Sequence, residues 1–382
     1  MIRRLFQFQE LGLLLVIVLT GALLTVYGGN TTALNRQGDR VEVNKFLRAD
    51  NLVQLAKNTS FFAIMAVGAS LVILSGGIDL SVGSIYALSA VAGAMVLHRF
   101  GVVGSQSNAP PVVAVTAGIA ACLLVGALCG LINGLLVVLL RVHPFIITLG
   151  TMAAFRGVAF VCPSWFASEG SLAIGQSIGD FPTSFTDKFI RLDLNQLFGR
   201  AGESGLYPIP MVIMVVVTAI GAWVLRSTVF GRRLFALGSN EQAARYCGVP
   251  IAPAKILVYT ISGLMCGIAA TIMLGYYGSA SSDAGNGYEL GVIASAVVGG
   301  ASLSGGRGSA FGALLGALIL QMIYNAIIIL RWDQNYSQII IGVVIIIAVV
   351  LDRVNTLLLR RQGAVPKRDK SLELTTEEAM EG

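Results

Sequence analysis

Histidine is almost absent from this chain: His98 and His143 are the only two, and they cannot build a metal site by themselves. The five cysteines (Cys122, Cys129, Cys162, Cys247 and Cys266) are scattered, odd in number and without a C-x-x-C pair, so they read as small apolar packing residues. Charge is scarce too, at 12% of 382 residues, against about 25% in a soluble domain. No G-x-x-x-x-G-K-[ST] phosphate loop occurs. The glycine-rich "GGRGSAFG" at 305–312 lacks the Lys-Ser/Thr pair and opens an apolar run. No nucleophile is paired with a histidine. These absences argue against an enzyme, and any energy for work must come from another polypeptide or from a gradient.

What the chain does have is apolar sequence: 55% of residues are hydrophobic and the mean hydropathy is +0.79. Length alone allows two or three soluble domains. Runs such as "VVAVTAGIAACLLVGALCGLINGLLVVLL" argue instead for one membrane domain, because a helix needs about 20 apolar residues to cross roughly 30 Å of hydrocarbon. In lipid the backbone must satisfy its own hydrogen bonds, which favours helices, and the runs do not alternate as barrel strands do. The expected fold is therefore an all-α polytopic membrane protein of about ten helices, at 10–28, 51–75, 79–98, 112–140, 144–163, 207–226, 255–277, 288–300, 307–330 and 337–353. The stretch 288–300 is short for a full crossing and reads as tilted, broken or re-entrant. The 45 glycines fit close helix packing.

The N-terminal Arg3-Arg4 followed by "LGLLLVIVLTGALLTVY" imitates a signal peptide but has no small-x-small cleavage site, so it reads as an uncleaved first helix. The net charge of +6 is an orientation signal rather than a nucleic-acid one. With the N-terminus inside, cytoplasmic loops collect fifteen Lys and Arg and outside loops eight, which also puts the C-terminus inside. The transmembrane domain covers 1–353, with outside loops 29–50 and 164–206 and a cytoplasmic loop 227–254. The tail, 354–382, is polar, and after Arg360 it lacks an apolar face and reads as disordered.

The stretch "VILSGGIDLSVGSIY" at 72–86 sets a carboxylate among apolar neighbours. Gly76 and Gly77 allow a sharp reversal, and Asp79 or Ser81 can then accept from the free N–H groups that open the next helix. The turn is expected near the inner mouth, where a rigidly capped hinge can also transmit movement from a cytoplasmic partner. "GGIDLSVGS" at 76–84 is echoed by "GGASLSGGRGS" at 299–309, through either an ancient duplication or separate selection for glycine-rich turns.

In the cytoplasmic loop, Ser239 or Asn240 is a good N-cap and Gln242 has capping-box spacing from Ser239. "EQAARYC" favours helix, while Gly248 and Pro250 end it. A short helix over 240–247 follows, either a plain connector or a docking element. Within the apolar spans, Asn58, Asn133, Gln321 and Asn325 must find hydrogen bonds or face water. They either tie helices together or line a path for a neutral polyhydroxy solute, which needs donors and acceptors but no counter-charge. Phe145, Phe155 and Tyr86 are lipid-packing residues or faces for a sugar ring. Arg156 lies well inside its span and needs a partner, expected among helix-end carbonyls or at Asp79. Glu289 is expected to cap a helix start or to touch a soluble partner.

Four stretches together resemble one family: "MAVGASLVILSGGIDLSVGSIYALS" (65–89), "HPFIITLGTMAAFRG" (143–157), "TVFGRRLFALGSNEQAARYCGV" (228–249) and "GYELGVIASAVVGGASLSGGRGSAFGALLGALIL" (287–320). They are similar to the sugar-type (ribose- or xylose-like) membrane permeases of bacterial ABC importers. The resemblance implies a permease of the inner membrane that pairs with a second permease chain. A periplasmic binding protein would deliver a monosaccharide, and two partner ATPase subunits holding ATP-Mg would drive it, with no cofactor on this chain. It also makes Asn240 to Gly248, centred on Ala243, a coupling helix, with Arg232, Arg233, Glu241 and Arg245 as ATPase contacts. The outside segment "VCPSWFASEGSLAIG" departs from the ribose pattern. Rival readings are a permease for nucleosides or another small solute, an ion-coupled secondary carrier, and a membrane scaffold.

Overall fold

Apolar runs of this length fold as helices, and the computed structural model shows them as such; it describes residues 2–34, 40–103, 106–107, 110–165, 173–193 and 207–363. Short helical turns at Thr183–Phe185 and Thr186–Ile190 aside, the helices are α1 (Ile2–Tyr27), α2 (Ala49–Leu74), α3 (Val82–Arg99), α4 (Pro111–Leu140), α5 (Pro144–Trp165), α6 (Ile209–Ser227), α7 (Val229–Ser239), α8 (Glu241–Tyr246), α9 (Ile251–Tyr277), α10 (Tyr288–Val298), α11 (Ala310–Ile329) and α12 (Tyr336–Gly363). Among the described residues eight helices are long and apolar enough to cross a membrane; Tyr288–Val298 and the Tyr336–Val350 part of α12 are shorter apolar stretches. The chain is an all-α, multi-pass membrane protein.

Three details differ from the sequence expectation. The loop 29–50 carries a two-stranded antiparallel hairpin, Asn30–Leu34 with Arg40–Asn44. The loop 227–254 holds two helices, α7 and α8, rather than one. The last helix continues to Gly363, into the segment set apart as tail; residues 364–382, with 166–172 and 194–206 of the loop 164–206, lie outside the described residues.

Helix α2 is the axis of the bundle: every residue from Thr59 to Leu74 is buried, as expected of a helix apolar all round. Helices α4 and α9 run in backbone contact. A Cβ on Gly126 would strike the Gly263 carbonyl, and one on Gly130 the Tyr259 carbonyl. Small residues on one face allow this approach, while Leu124, Leu128 and Leu139 stay exposed elsewhere on α4, suited to lipid.

Four of the cysteines are buried as packing residues; Cys247 is exposed at the end of α8. The two glycine-rich turns meet at one end of the bundle, where the Gly306 amide donates to the Leu74 carbonyl (3.0 Å). Equivalent positions in the two turns bond alike: Ser81 Oγ donates to Asp79 Oδ1 at 2.6 Å, and the Ser302 and Ser304 hydroxyls lie 2.8 Å apart.

Candidate functional site

Helix α10 has 11 residues, about 16 Å at the helical rise, so it reaches only part-way through the bundle. The loop before it, 278–287, is anchored by Ala280, Ser282 and Gly285, which are buried, while Ser281, Asp283, Asn286 and Gly287 are exposed. Arg156 holds it: Nη1 donates to the carbonyls of Ser282 (3.0 Å) and Ala284 (2.6 Å). By rise alone Arg156 stands roughly 18 Å along α5 from Pro144. Its partners are therefore loop carbonyls; neither a helix end nor Asp79 serves. Gly285 and Glu289 lie against Gly83 at the start of α3, close enough that a Cβ there would strike the Gly285 carbonyl and Glu289 Oε2. Glu289 sits in the first turn of α10 and makes no cap bond; the N-cap is Gly287, with φ +77°.

This arrangement delivers Tyr288 to a cavity of about 260 Å³ between α2, α9, α10, α11 and the start of α12. Its polar lining includes Asn58, Gln321, Gln334 and Ser337, and its aromatic lining is Phe61, Phe62, Tyr277, Tyr288 and Tyr324; no charged side chain lines it among the described residues. The rings form a connected wall. Tyr288 lies 4.7 Å from Phe62 and 5.7 Å from Tyr86 between centroids, and Phe62 lies 6.2 Å from Tyr324. Asn58 is 16 residues before Leu74 on α2, so the cavity sits roughly 24 Å from the end where the glycine-rich turns meet α7.

Of the four intraspan amides read as either helix ties or path-lining groups, Asn58 and Gln321 line this cavity. The other two do not. Asn325 trades hydrogen bonds with Asn51 across α11 and α2 (2.6 and 3.2 Å), and Asn133 Nδ2 donates to Ser81 Oγ (2.7 Å). Both tie helices together. Tyr86 backs the cavity through Tyr288, Phe155 is buried in the core, and Phe145 is 42% exposed away from it. Tyr277, Tyr288 and Tyr324 were not among the residues singled out from sequence. A signal existed: Asn58, Phe61 and Phe62, like Gln321, Tyr324 and Ile328, have the i, i+3, i+4 or i+7 spacing of one helix face.

At the other end, Asp79 is buried, with 2% of its surface exposed. Its Oδ1 accepts from the Ser81 amide (2.9 Å) and hydroxyl, and Oδ2 from Ser262 Oγ (3.4 Å). Asp79 thus satisfies the amide of the N-cap residue Ser81 rather than the N–H groups that open α3, which receive no side-chain cap bond, while Ser81 relays to Asn133. Ser262 is eleven residues into α9, so the carboxylate is enclosed by the bundle. Gly76 takes φ +80° to make the reversal, and a Cβ on Gly77 would strike the Tyr259 hydroxyl.

The short helix α8 has Asn240, not Ser239, as its N-cap: Asn240 Oδ1 accepts from the Ala243 amide (3.0 Å), while the Ser239 hydroxyl turns back to Phe235 in α7. Gly248 follows with φ +75°. Arg232, Arg233, Ala243 and Arg245 are exposed. Glu241 is anchored to the base of α9 by Lys255 (2.8 Å), with Arg245 3.8 Å away. Beside α8 opens a cleft of about 750 Å³, lined by Arg141, His143, Glu241, Arg245 and Lys255 among others.

Residues 51–349 match the family described as branched-chain amino acid transport system / permease component. This chain belongs to that family. The permease match takes in both the cavity and α8. The chain is 39% identical over 307 residues to the ribose import permease of Escherichia coli (strain K12), covering 80% of this chain and 87% of that protein. It is 38% identical over 310 residues to the ribose import permease of Bacillus subtilis (strain 168), covering 81% and 86%. With the fructose import permease of Rhizobium meliloti it shares 34% identity over 311 residues, covering 81% and 79%.

Proposed function

We propose that this chain is the permease subunit of an ATP-binding-cassette importer and that it passes a monosaccharide, a pentose, hexose or related polyol, through the cavity between α2 and α11. The lining of that cavity carries the proposal. Amides and hydroxyls offer neutral donors and acceptors, the Tyr and Phe rings offer flat apolar faces, and no charge lines it. A sugar needs those groups and no others. An amino acid zwitterion would bring two charges into a site that holds no counter-charge, so sugar fits better than the amino acids of the family description. The sugar relatives point the same way.

The chain binds no cofactor of its own; ATP-Mg belongs to two partner ATPase subunits. They grip α8 through Arg232, Arg233, Glu241 and Arg245 and the adjoining cleft. Asn240 and Gly248 fix the ends of that helix and Ala243 lies at its centre. A second permease chain, identical or homologous, completes the membrane unit, and a periplasmic binding protein delivers the solute to the outer face. The cation asymmetry of the loops supports two cytoplasmic termini.

The test is uptake of labelled pentoses and hexoses into proteoliposomes holding this permease, its ATPase and its binding protein. Accumulation should require ATP and all three components. Accumulation against a gradient by the permease alone, or ATP-driven uptake of amino acids but of no sugar, would overturn the proposal.

A further inference from the structure

Lys57 is buried in α2, 2% exposed, next in sequence to the cavity residue Asn58. No carboxylate lies within ion-pair distance of it among the described residues. Its ammonium stands 3.6 Å from the centroid of the Tyr276 ring and 5.4 Å from that of Tyr277, and Nζ donates to Gln54 Oε1 (2.7 Å). Gln54 Nε2 in turn donates to Asn58 Oδ1 (3.4 Å). The three side chains occupy positions i, i+3 and i+4 of one helix and form a single directed chain.

An ammonium has three donors and no acceptor. Facing Lys57, Gln54 must therefore present its oxygen, which leaves only its N–H₂ for Asn58. Asn58 must then accept with Oδ1, and what remains for the cavity is its own N–H₂. Asn58 Nδ2 makes no hydrogen bond among the described residues. An amide normally chooses its rotation from its surroundings; here the Lys57 charge favours one rotation of Asn58 through Gln54, whose own side chain is exposed.

We propose that Lys57 is a positioning residue, acting through Gln54 to lock Asn58 so that it meets the solute as a hydrogen-bond donor. The site would select a solute oxygen that accepts, and would tolerate at that position a group that cannot donate. This rests on the cavity being the solute site, and the experiment separates the two ideas.

The probes are D-ribose and its monodeoxyfluoro analogues, in which fluorine accepts weakly but cannot donate. Their dissociation constants are measured by saturation-transfer NMR on the detergent-solubilised permease–ATPase complex without its binding protein, so that the latter's selectivity does not enter. On the wild type, one fluoro analogue should bind within about threefold of D-ribose. Gln54→Glu gives Lys57 a counter-charge but offers only acceptors, so it turns Asn58 over and presents Oδ1 to the cavity. That same analogue should then lose about tenfold relative to D-ribose; in Lys57→Met, where the lock is released and Asn58 can turn either way, the loss should be smaller than in Gln54→Glu. A merely structural Lys57 predicts that Gln54→Glu, which pairs the charge, leaves the fluoro profile unchanged; that result, with Asn58→Leu still weakening D-ribose, overturns the inference alone. If D-ribose does not bind the wild type, or Asn58→Leu leaves its binding unchanged, the cavity assignment falls and the inference with it.

Discussion

The carbonyl oxygen of Leu74, the last residue of α2, accepts the amide hydrogen of Gly306 at 3.0 Å, and Gly238 of α7 is packed onto the same carbonyl so tightly that a Cβ would collide with it. The end of the central helix is thereby joined to both the second glycine-rich turn and the helix that carries α8. A force applied at α8 would have a packed route through α7 and Gly238 to the end of α2.

Gly238→Val should break that joint. Overpacking a tight contact costs about 1–3 kcal/mol, so the protein should insert with a lowered thermal midpoint in detergent. Transport should fall more than ATP hydrolysis, read as transported solute per ATP in proteoliposomes. An unchanged ratio would show that force does not pass through this contact.

Changing Glu241 and Arg245 together to Ala should leave folding nearly untouched, since exposed ion pairs are worth about 0–1 kcal/mol and Asn240 still caps the helix. Stimulation of the partner ATPase by the loaded binding protein should be lost. Full stimulation in the double mutant would remove α8 as the docking element.

Arg156→Ala should free the loop 282–287. Two hydrogen bonds from a charged donor disappear, each worth about 1.5–3 kcal/mol, and Tyr288 loses its support. Loss of transport with increased hydrogen exchange across residues 281–289 is the expected result. Unaltered exchange would mean that the loop holds its place without Arg156.

Asp79→Asn should be milder than Asp79→Ala. The amide oxygen can still accept from the Ser81 backbone, whereas alanine leaves the Ser81 amide and the Ser262 hydroxyl without their acceptor in a buried site, at about 1–3 kcal/mol for each group left unsatisfied. Thermal unfolding of the two purified variants gives the order directly.

The helical membrane fold, the positions of its long apolar helices and the capped helix near 241–246 were legible in sequence, because they follow from local rules: apolar run length and the spacing of caps and stops. The uneven treatment of the amides was not legible. Asn58 and Asn325 look alike in sequence, each an amide interrupting an apolar helix, yet one opens onto a cavity and the other is consumed by Asn51 from a helix 274 residues distant in sequence. Asp79 was readable as a carboxylate in a tight turn but not as a buried one, since its burial depends on Ser262 from α9. The direction in which Lys57 sets its neighbours needed the ring of Tyr276 and the burial around it. Sequence alone determined which segments enter the membrane, because transfer to hydrocarbon is a sum over neighbouring residues. Only the tertiary structure decided which polar groups remain unspent for a solute, because a hydrogen bond made to another helix is no longer available to anything passing through.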